Sequence, residues 1–172
     1  MSALAIRDAR PADVPAIEAV TLAAYDQYAA ELPPPYWEAY RANILGTLAD
    51  VTPAAQLVAE RAGRILGAVL LYPAGAAFPR RDGAAAIVPW PEVRLLAVEP
   101  AARGQGVGDT LMQACIRRAR AAGAEALTLH TTPMMAAAVR LYTRLGFRPA
   151  PELDFEPAPG LTVRGFRLTL EP

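Results

Sequence analysis

Apolar residues crowd one short run near the middle of the chain, Val93 to Val98, interrupted only by Arg94. A run of this length and composition is the pattern of a strand covered on both faces, and Pro100 stops it. Past Arg103, Gly104, Gly106 and Gly108 the period changes. Leu111, Met112, Cys115, Ile116 and Ala119 recur at helical spacing, while Arg117, Arg118 and Arg120 fall off that stripe. The spacing predicts a helix to about Ala122 with one side on a sheet and the other in water.

Elsewhere the same reading gives a strand at Leu4–Asp8 and a helix from an Asp13 cap with Ile17, Val20 and Ala24 as its stripe, running to about Tyr28. Leu32-Pro-Pro-Pro-Tyr36 breaks it, and a second helix from about Pro35 carries Trp37, Tyr40, Ile44 and Leu48. Gln56–Glu60 and Ile65–Tyr72 form a hairpin about Ala62-Gly63-Arg64. Pro73 to Pro91, rich in Pro, Gly and Ala, is either a surface insertion or a flap. Ala126–Thr131 is a strand, Ala136–Leu145 a helix closed by Gly146, Phe147 onward a strand start, Pro149–Pro159 a loop, and Leu161–Leu170 the last strand. This alternation predicts an α/β domain with a mixed sheet, one domain over residues 1–172.

The glycines at the head of the central helix point to anion binding. The first N–H groups of a helix have no intrahelical acceptor and sit at the positive end of its dipole, and glycine lets a ligand approach the backbone closely. Two common phosphate motifs are excluded. A nucleotide P-loop needs a lysine, and the chain has none; the dinucleotide fingerprint would put its third glycine at Asp109.

What remains is Arg-x-x-Gly-x-Gly at Arg103, Gly106 and Gly108, and here the chain resembles the GNAT family of N-acetyltransferases. Glu92-Val-Arg-Leu-Leu-Ala-Val98 is similar to that family's central strand, and Ala138-Val-Arg-Leu-Tyr-Thr-Arg-Leu-Gly-Phe147 to its late helix and next strand. The three matches come in the family's order across the second half of the chain. The resemblance implies a single-domain fold whose mixed central sheet, with helices on both faces, splays between the central strand and the one at Ala126. It also implies that acetyl-coenzyme A lies in that cleft as cosubstrate. Its pantetheine arm would pair with the backbone of Leu96, Ala97 and Val98, and its pyrophosphate would rest on Arg103, Gly104, Gln105, Gly106, Val107 and Gly108.

The implied reaction is acetyl transfer to a primary amine of a small molecule or peptide by direct attack. An amine must lose a proton first, and Glu92 matches the family's base; burial beside Trp90 and an apolar strand would strip water from it. Tyr142 matches the tyrosine that serves the departing thiolate, and its bland alternative is a core aromatic beside Leu141, Leu145 and Phe147. One departure stands out: Met135 replaces an asparagine that many members use to hold the cofactor, with Thr131, Thr132 or a water as substitutes. By resemblance the acceptor pocket draws on Tyr25, Tyr28, Tyr36 and Trp37, with Asp26, Glu31, Glu152, Asp154 and Glu156 nearby in sequence or on the late loop. Aromatics beside carboxylates suit a cationic amine or an apolar amino acid. A non-catalytic acyl-coenzyme A binder on the same fold is the other class; the pair Glu92 and Tyr142 favours catalysis.

Composition narrows this little further. Net charge is +0 and 53% of residues are hydrophobic, which suggests neither disorder nor a nucleic-acid-binding surface. One cysteine allows no internal disulfide, and Cys115 on the apolar stripe reads as a packed thiol. His130, the only histidine, reads as structural or solvent-facing and, without a cysteine partner, gives no metal site. No leader or bilayer-length apolar run is seen, so a cytoplasmic protein without a membrane partner is expected. A homodimer is expected only from the family's habit.

Overall fold

The computed structural model describes residues 2–79 and 84–171. In chain order these form β1 (Ala5–Asp8), α1 (Val14–Tyr25), α2 (Pro34–Ala49), β2 (Ala55–Arg61), β3 (Arg64–Tyr72), β4 (Ala77–Pro79), β5 (Ala85–Ile87) and β6 (Glu92–Val98). Then come α3 (Val107–Ala121), β7 (Ala126–Thr131), α4 (Ala136–Arg144), β8 (Arg148–Pro149), β9 (Phe155–Ala158) and β10 (Leu161–Thr169). The residues cluster into two compact units, whose boundaries fall inside β3, β6 and α3.

The first unit comprises the chain to Leu71 and Leu95–Ala114. Its strands run β1-β2-β3-β6, with β1–β2 and β2–β3 antiparallel. The β2–β3 hairpin turns on Ala62 and Gly63, at φ 52° and 77°, the pair of positive angles that matches the twist of a two-residue connection. Ile17, Val20, Ile44, Leu57, Val58, Val69, Val107, Leu111 and Met112 are buried. Each such aliphatic side chain taken from water contributes about 1.5–3 kcal/mol, which is why the apolar stripes dictate where these elements go.

Gly67 on β3 marks a close approach. A Cβ there would stand 2.8 Å from the Ala97 carbonyl oxygen, 2.9 Å from Val107 Cγ1 and 3.0 Å from Leu111 Cδ1. Gly67→Ala is therefore expected to cost about 1–3 kcal/mol, visible as a lower urea midpoint with an unchanged slope. An unaltered midpoint would mean that the strand and the head of α3 are less tightly joined.

Two expectations are corrected in this unit. Asp13 does not cap α1: its backbone is already helical, and its carboxylate accepts from Arg7 at 2.7 Å and from the Arg10 N–H at 2.7 Å. Those bonds hold its pKa down at about 2. The α1 helix also ends at Tyr25 rather than Tyr28, because Asp26–Ala30 tightens into a 3₁₀ turn.

The second unit comprises Tyr72–Arg94 and Cys115 onward. Its strand order is β6-β7-β10-β8, with β9 also on β10; β6–β7 is parallel and the pairs made by β10 are antiparallel. The sheet is thus mixed, as the alternation of elements implied. The β6–β7 ladder covers only Glu92↔Thr128 and Val93↔Leu129. Two residues on, Leu95 takes a left-handed φ of 49°, a conformation that costs a non-glycine residue about 1–3 kcal/mol and that breaks the regular pleat of β6.

α4 ends as its glycine predicts. Gly146 adopts φ 95°, its N–H donates to Thr143 O, and the Phe147 N–H donates to Tyr142 O, the paired bonds of a Schellman cap. The segment Pro73–Pro91 is not featureless: β4 and β5 pair as a small hairpin, while residues 80–83 lie outside the described ones. The Pro149–Pro159 loop also carries structure, a 3₁₀ turn at Pro151–Leu153 and β9. Among the described residues no helix is long and apolar enough to cross a membrane.

Candidate active site

In the first unit, the end of β6 leads through a 3₁₀ turn at Pro100–Ala102 to Arg103 and the head of α3. Gly104 and Gly106 hold φ 74° and 78°, angles that a side chain would strain, although a Cβ at either would meet nothing within 4 Å. Their glycine identity is therefore about backbone direction, not room. The first helical bond runs from the Thr110 N–H to Gly106 O, so the N–H groups of Val107 and Gly108 lie in the turn where a helix has no acceptor to offer. Gln105 is anchored away from its own backbone: its Oε1 accepts from Arg61 at 2.7 Å and its Nε2 donates to Ala101 O at 3.2 Å.

The side chain of Arg103 is occupied elsewhere. It donates to Ala24 O at 3.1 Å and Gln27 Oε1 at 3.2 Å, a cation closing the C-terminal end of α1. Tyr25 makes a second tie to the same region, its buried hydroxyl donating to Leu96 O at 3.3 Å. Its ring meets Tyr28 and Tyr40 edge-on, each at 6.0 Å, and Tyr40 meets Trp37 at 6.2 Å. Three of the four aromatics expected at the acceptor, Tyr25, Tyr28 and Trp37, are thus linked in one chain of rings. Tyr36, 48% exposed at the start of α2, is not part of that chain.

In the second unit, Glu92 is only 4% exposed. Its Oε1 lies 3.4 Å from His130 Nδ1 and 3.8 Å from Arg94 Nε, and its Oε2 is buried without a hydrogen-bond partner. An orphaned carboxylate oxygen in a protein interior is costly and calls for a ligand or a water. His130 is neither solvent-facing nor idle: it is mostly buried and engaged at both nitrogens. Nε2 is 2.9 Å from Leu153 O, and the ring packs edge-on to Phe155. A carbonyl only accepts, so Nε2 carries a proton and Nδ1 faces the carboxylate. Burial, the largest influence, lowers the histidine pKa, yet the hydrogen bond and charge of Glu92 together with the Leu153 carbonyl outweigh it and the net shift is upward.

Tyr142 is 6% exposed, with its ring 5.9 Å from that of Phe147. The hydroxyls of Thr131 and Thr132 are buried without partners, at the end of β7 and just beyond it, and Met135 is buried too. Trp90 lies under the Arg167 guanidinium at 5.3 Å. The late acidic loop is largely committed: Glu152 accepts from Arg167 at 2.6 Å and Asp154 from the Gly165 N–H at 2.8 Å. Cys115 is buried completely and its thiol pKa is pushed up to about 12 by loss of water. Among the described residues there is no group of three or more His, Cys, Asp or Glu that could hold a metal ion.

Sequence reasoning missed the His130 contact and the place of Arg94. The second was within reach, since residues two apart on a strand leave the same face.

The acetyltransferase (GNAT) family model matches residues 17–147, and the chain belongs to that family. Among solved structures it is similar to a Corynebacterium glutamicum protein described as histone acetyltransferase HPA2 and related acetyltransferase. The two are 28% identical with a TM-score of 0.69, over 100% of this chain and 99% of that one. The PaiA N-acetyltransferase of Thermoplasma acidophilum, solved with coenzyme A, shares the fold at 15% identity and a TM-score of 0.72, over 98% and 99% of the two chains. A mycothiol acetyltransferase from Nocardia farcinica is 41% identical over 59 residues, which are 34% of this chain and 20% of that protein. The chain thus matches about a fifth of that relative's length.

Proposed function

We propose that the protein transfers the acetyl group of acetyl-coenzyme A to the primary amine of a small molecule or peptide. The observation that carries this is the buried carboxylate of Glu92, with one oxygen unpartnered and the other held by His130. In this reading the ammonium of the acceptor gives its proton to Glu92, directly or through one water, and the free amine attacks the thioester carbon. The C–N bond forms and the C–S bond breaks, the second proton of the attacking nitrogen passes by way of the Tyr142 hydroxyl to the departing thiolate, and coenzyme A leaves as the free thiol.

The donor side draws on the first unit. N–H groups of Gly104 to Gly108 take the pyrophosphate, and the backbone of Leu96, Ala97 and Val98 takes the pantetheine arm. Arg103 contributes its main chain, since its side chain closes α1. The partnerless hydroxyls of Thr131 and Thr132 supply what an asparagine at position 135 would otherwise give.

Calorimetry with coenzyme A and release of free thiol from acetyl-coenzyme A test the reading. Binding, with thiol release that requires an added amine and falls about 10²-fold or more in Tyr142→Phe, is the expected result. Binding with no amine-dependent release would leave a non-catalytic acyl-coenzyme A binder.

A further inference from the structure

Arg94 follows Glu92 by two positions on β6, so both side chains leave one face of the strand. The guanidinium carbon of Arg94 stands 4.7 Å from the Phe78 ring centre and 5.9 Å from that of Tyr72. Aromatic faces hold a guanidinium by its charge and flatness, and they accept no conventional hydrogen bond. The five N–H donors are therefore not consumed by this platform. Among the described residues the only acid paired with Arg94 is Glu92, at 3.8 Å, too far for a hydrogen bond. The Arg94 side chain is 36% exposed, so a ligand can reach it.

Charge around the pair favours an anion. One carboxylate, Glu92, is set against an arginine and a histidine. Two of the acidic residues on the late loop are already engaged, Glu152 on Arg167 and Asp154 on the Gly165 N–H. A planar carboxylate is the group that a positioned guanidinium fork binds best, through two parallel N–H bonds.

We propose that Arg94 is the specificity-determining residue of the acceptor site and binds a carboxylate on the substrate, so that the acceptor class is amino acids. This rests on the acetyl-transfer reading: the amino group lies at Glu92, the carboxylate on Arg94, and the rest of the acceptor is left to other contacts. The platform of Phe78 and Tyr72 keeps the fork in place before the substrate arrives, which reduces what binding must spend in ordering a long side chain.

The test is steady-state kinetics on a panel of L-amino acids, each beside its own carboxamide, with the wild type, Arg94→Gln and Arg94→Lys. The free acid of at least one pair is expected to exceed its amide about 10- to 100-fold in kcat/KM. Arg94→Gln should erase that preference, chiefly through the KM of the acid, while the KM of acetyl-coenzyme A stays as in the wild type. Arg94→Lys, which keeps the charge but not the fork, should fall between. Equal use of acids and amides, a preference for amides, or a preference that survives Arg94→Gln overturns the inference and leaves acetyl transfer standing. So does a protein that binds acetyl-coenzyme A and acetylates neither arm. Failure to bind acetyl-coenzyme A at all would instead remove the functional reading and this one with it.

Discussion

Glu92→Gln is expected to lower kcat by about 10²–10⁴-fold, the range a positioned base supplies, with the KM of acetyl-coenzyme A unchanged. The same substitution should move the titration of His130. That residue is the only histidine in the chain, so one imidazole signal from untagged protein reports it by magnetic resonance. In the wild type its midpoint should lie above 6.5, because the imidazolium form puts an N–H on the carboxylate at 3.4 Å and another on the Leu153 carbonyl at 2.9 Å. Glutamine removes the charge while burial, which lowers the value, stays. The midpoint should then fall.

The sign has a consequence for folding. A histidine whose pKa is raised in the folded state contributes stability that is complete below about 6.5 and fades as pH rises through the folded value. Melting temperatures of the wild type and Glu92→Gln should therefore differ more at pH 6 than at pH 9. If the histidine signal shifts but kcat does not, Glu92 is a partner of His130 and not the base.

Gly165→Ala is the second large effect. A Cβ on Gly165 would stand 2.3 Å from Leu153 Cβ and 3.1 Å from the Ala150 carbonyl oxygen. No rotamer can relieve a clash made by Cβ itself, so the 3₁₀ turn at Pro151–Leu153 must move. Three contacts depend on that turn: the Ala150 N–H to Gly165 O at 2.9 Å, the Gly165 N–H to Asp154 at 2.8 Å, and the Leu153 carbonyl on His130. About 1–3 kcal/mol should be lost, several degrees in Tm for a chain of this size. The His130 midpoint should drop as well, since one of its two acceptors is displaced. A variant that melts within a degree of the wild type would show that the turn is free to shift.

Much of this architecture was legible because burial imposes periodicity. The stripe Leu111, Met112, Cys115 and Ile116 and the cap at Gly146 each left a mark in spacing or residue type; the run Val93–Val98 marked a strand, but only Val93 and Ala97 in it are buried, so it is not covered on both faces as its composition implied. Features set by tertiary partners left none. Asp13 carries the composition of a cap, yet Arg7 from β1 claimed its carboxylate. Leu95 has no preference for a left-handed backbone, so the break in β6 could not be read from its identity. β9 exists because β10 offers an edge to pair with, and the aromatic platform of Arg94 joins Tyr72 and Phe78 through a hairpin whose sequence reads only as loop.

Cys115 settles a practical matter. A lone sulfhydryl with no solvent contact and a pKa of about 12 presents almost no thiolate at neutral pH, so a chromogenic disulfide reagent should leave the native protein untouched. Colour developing during turnover then counts liberated coenzyme A alone, and slow colour from protein without acetyl-coenzyme A counts molecules that have unfolded.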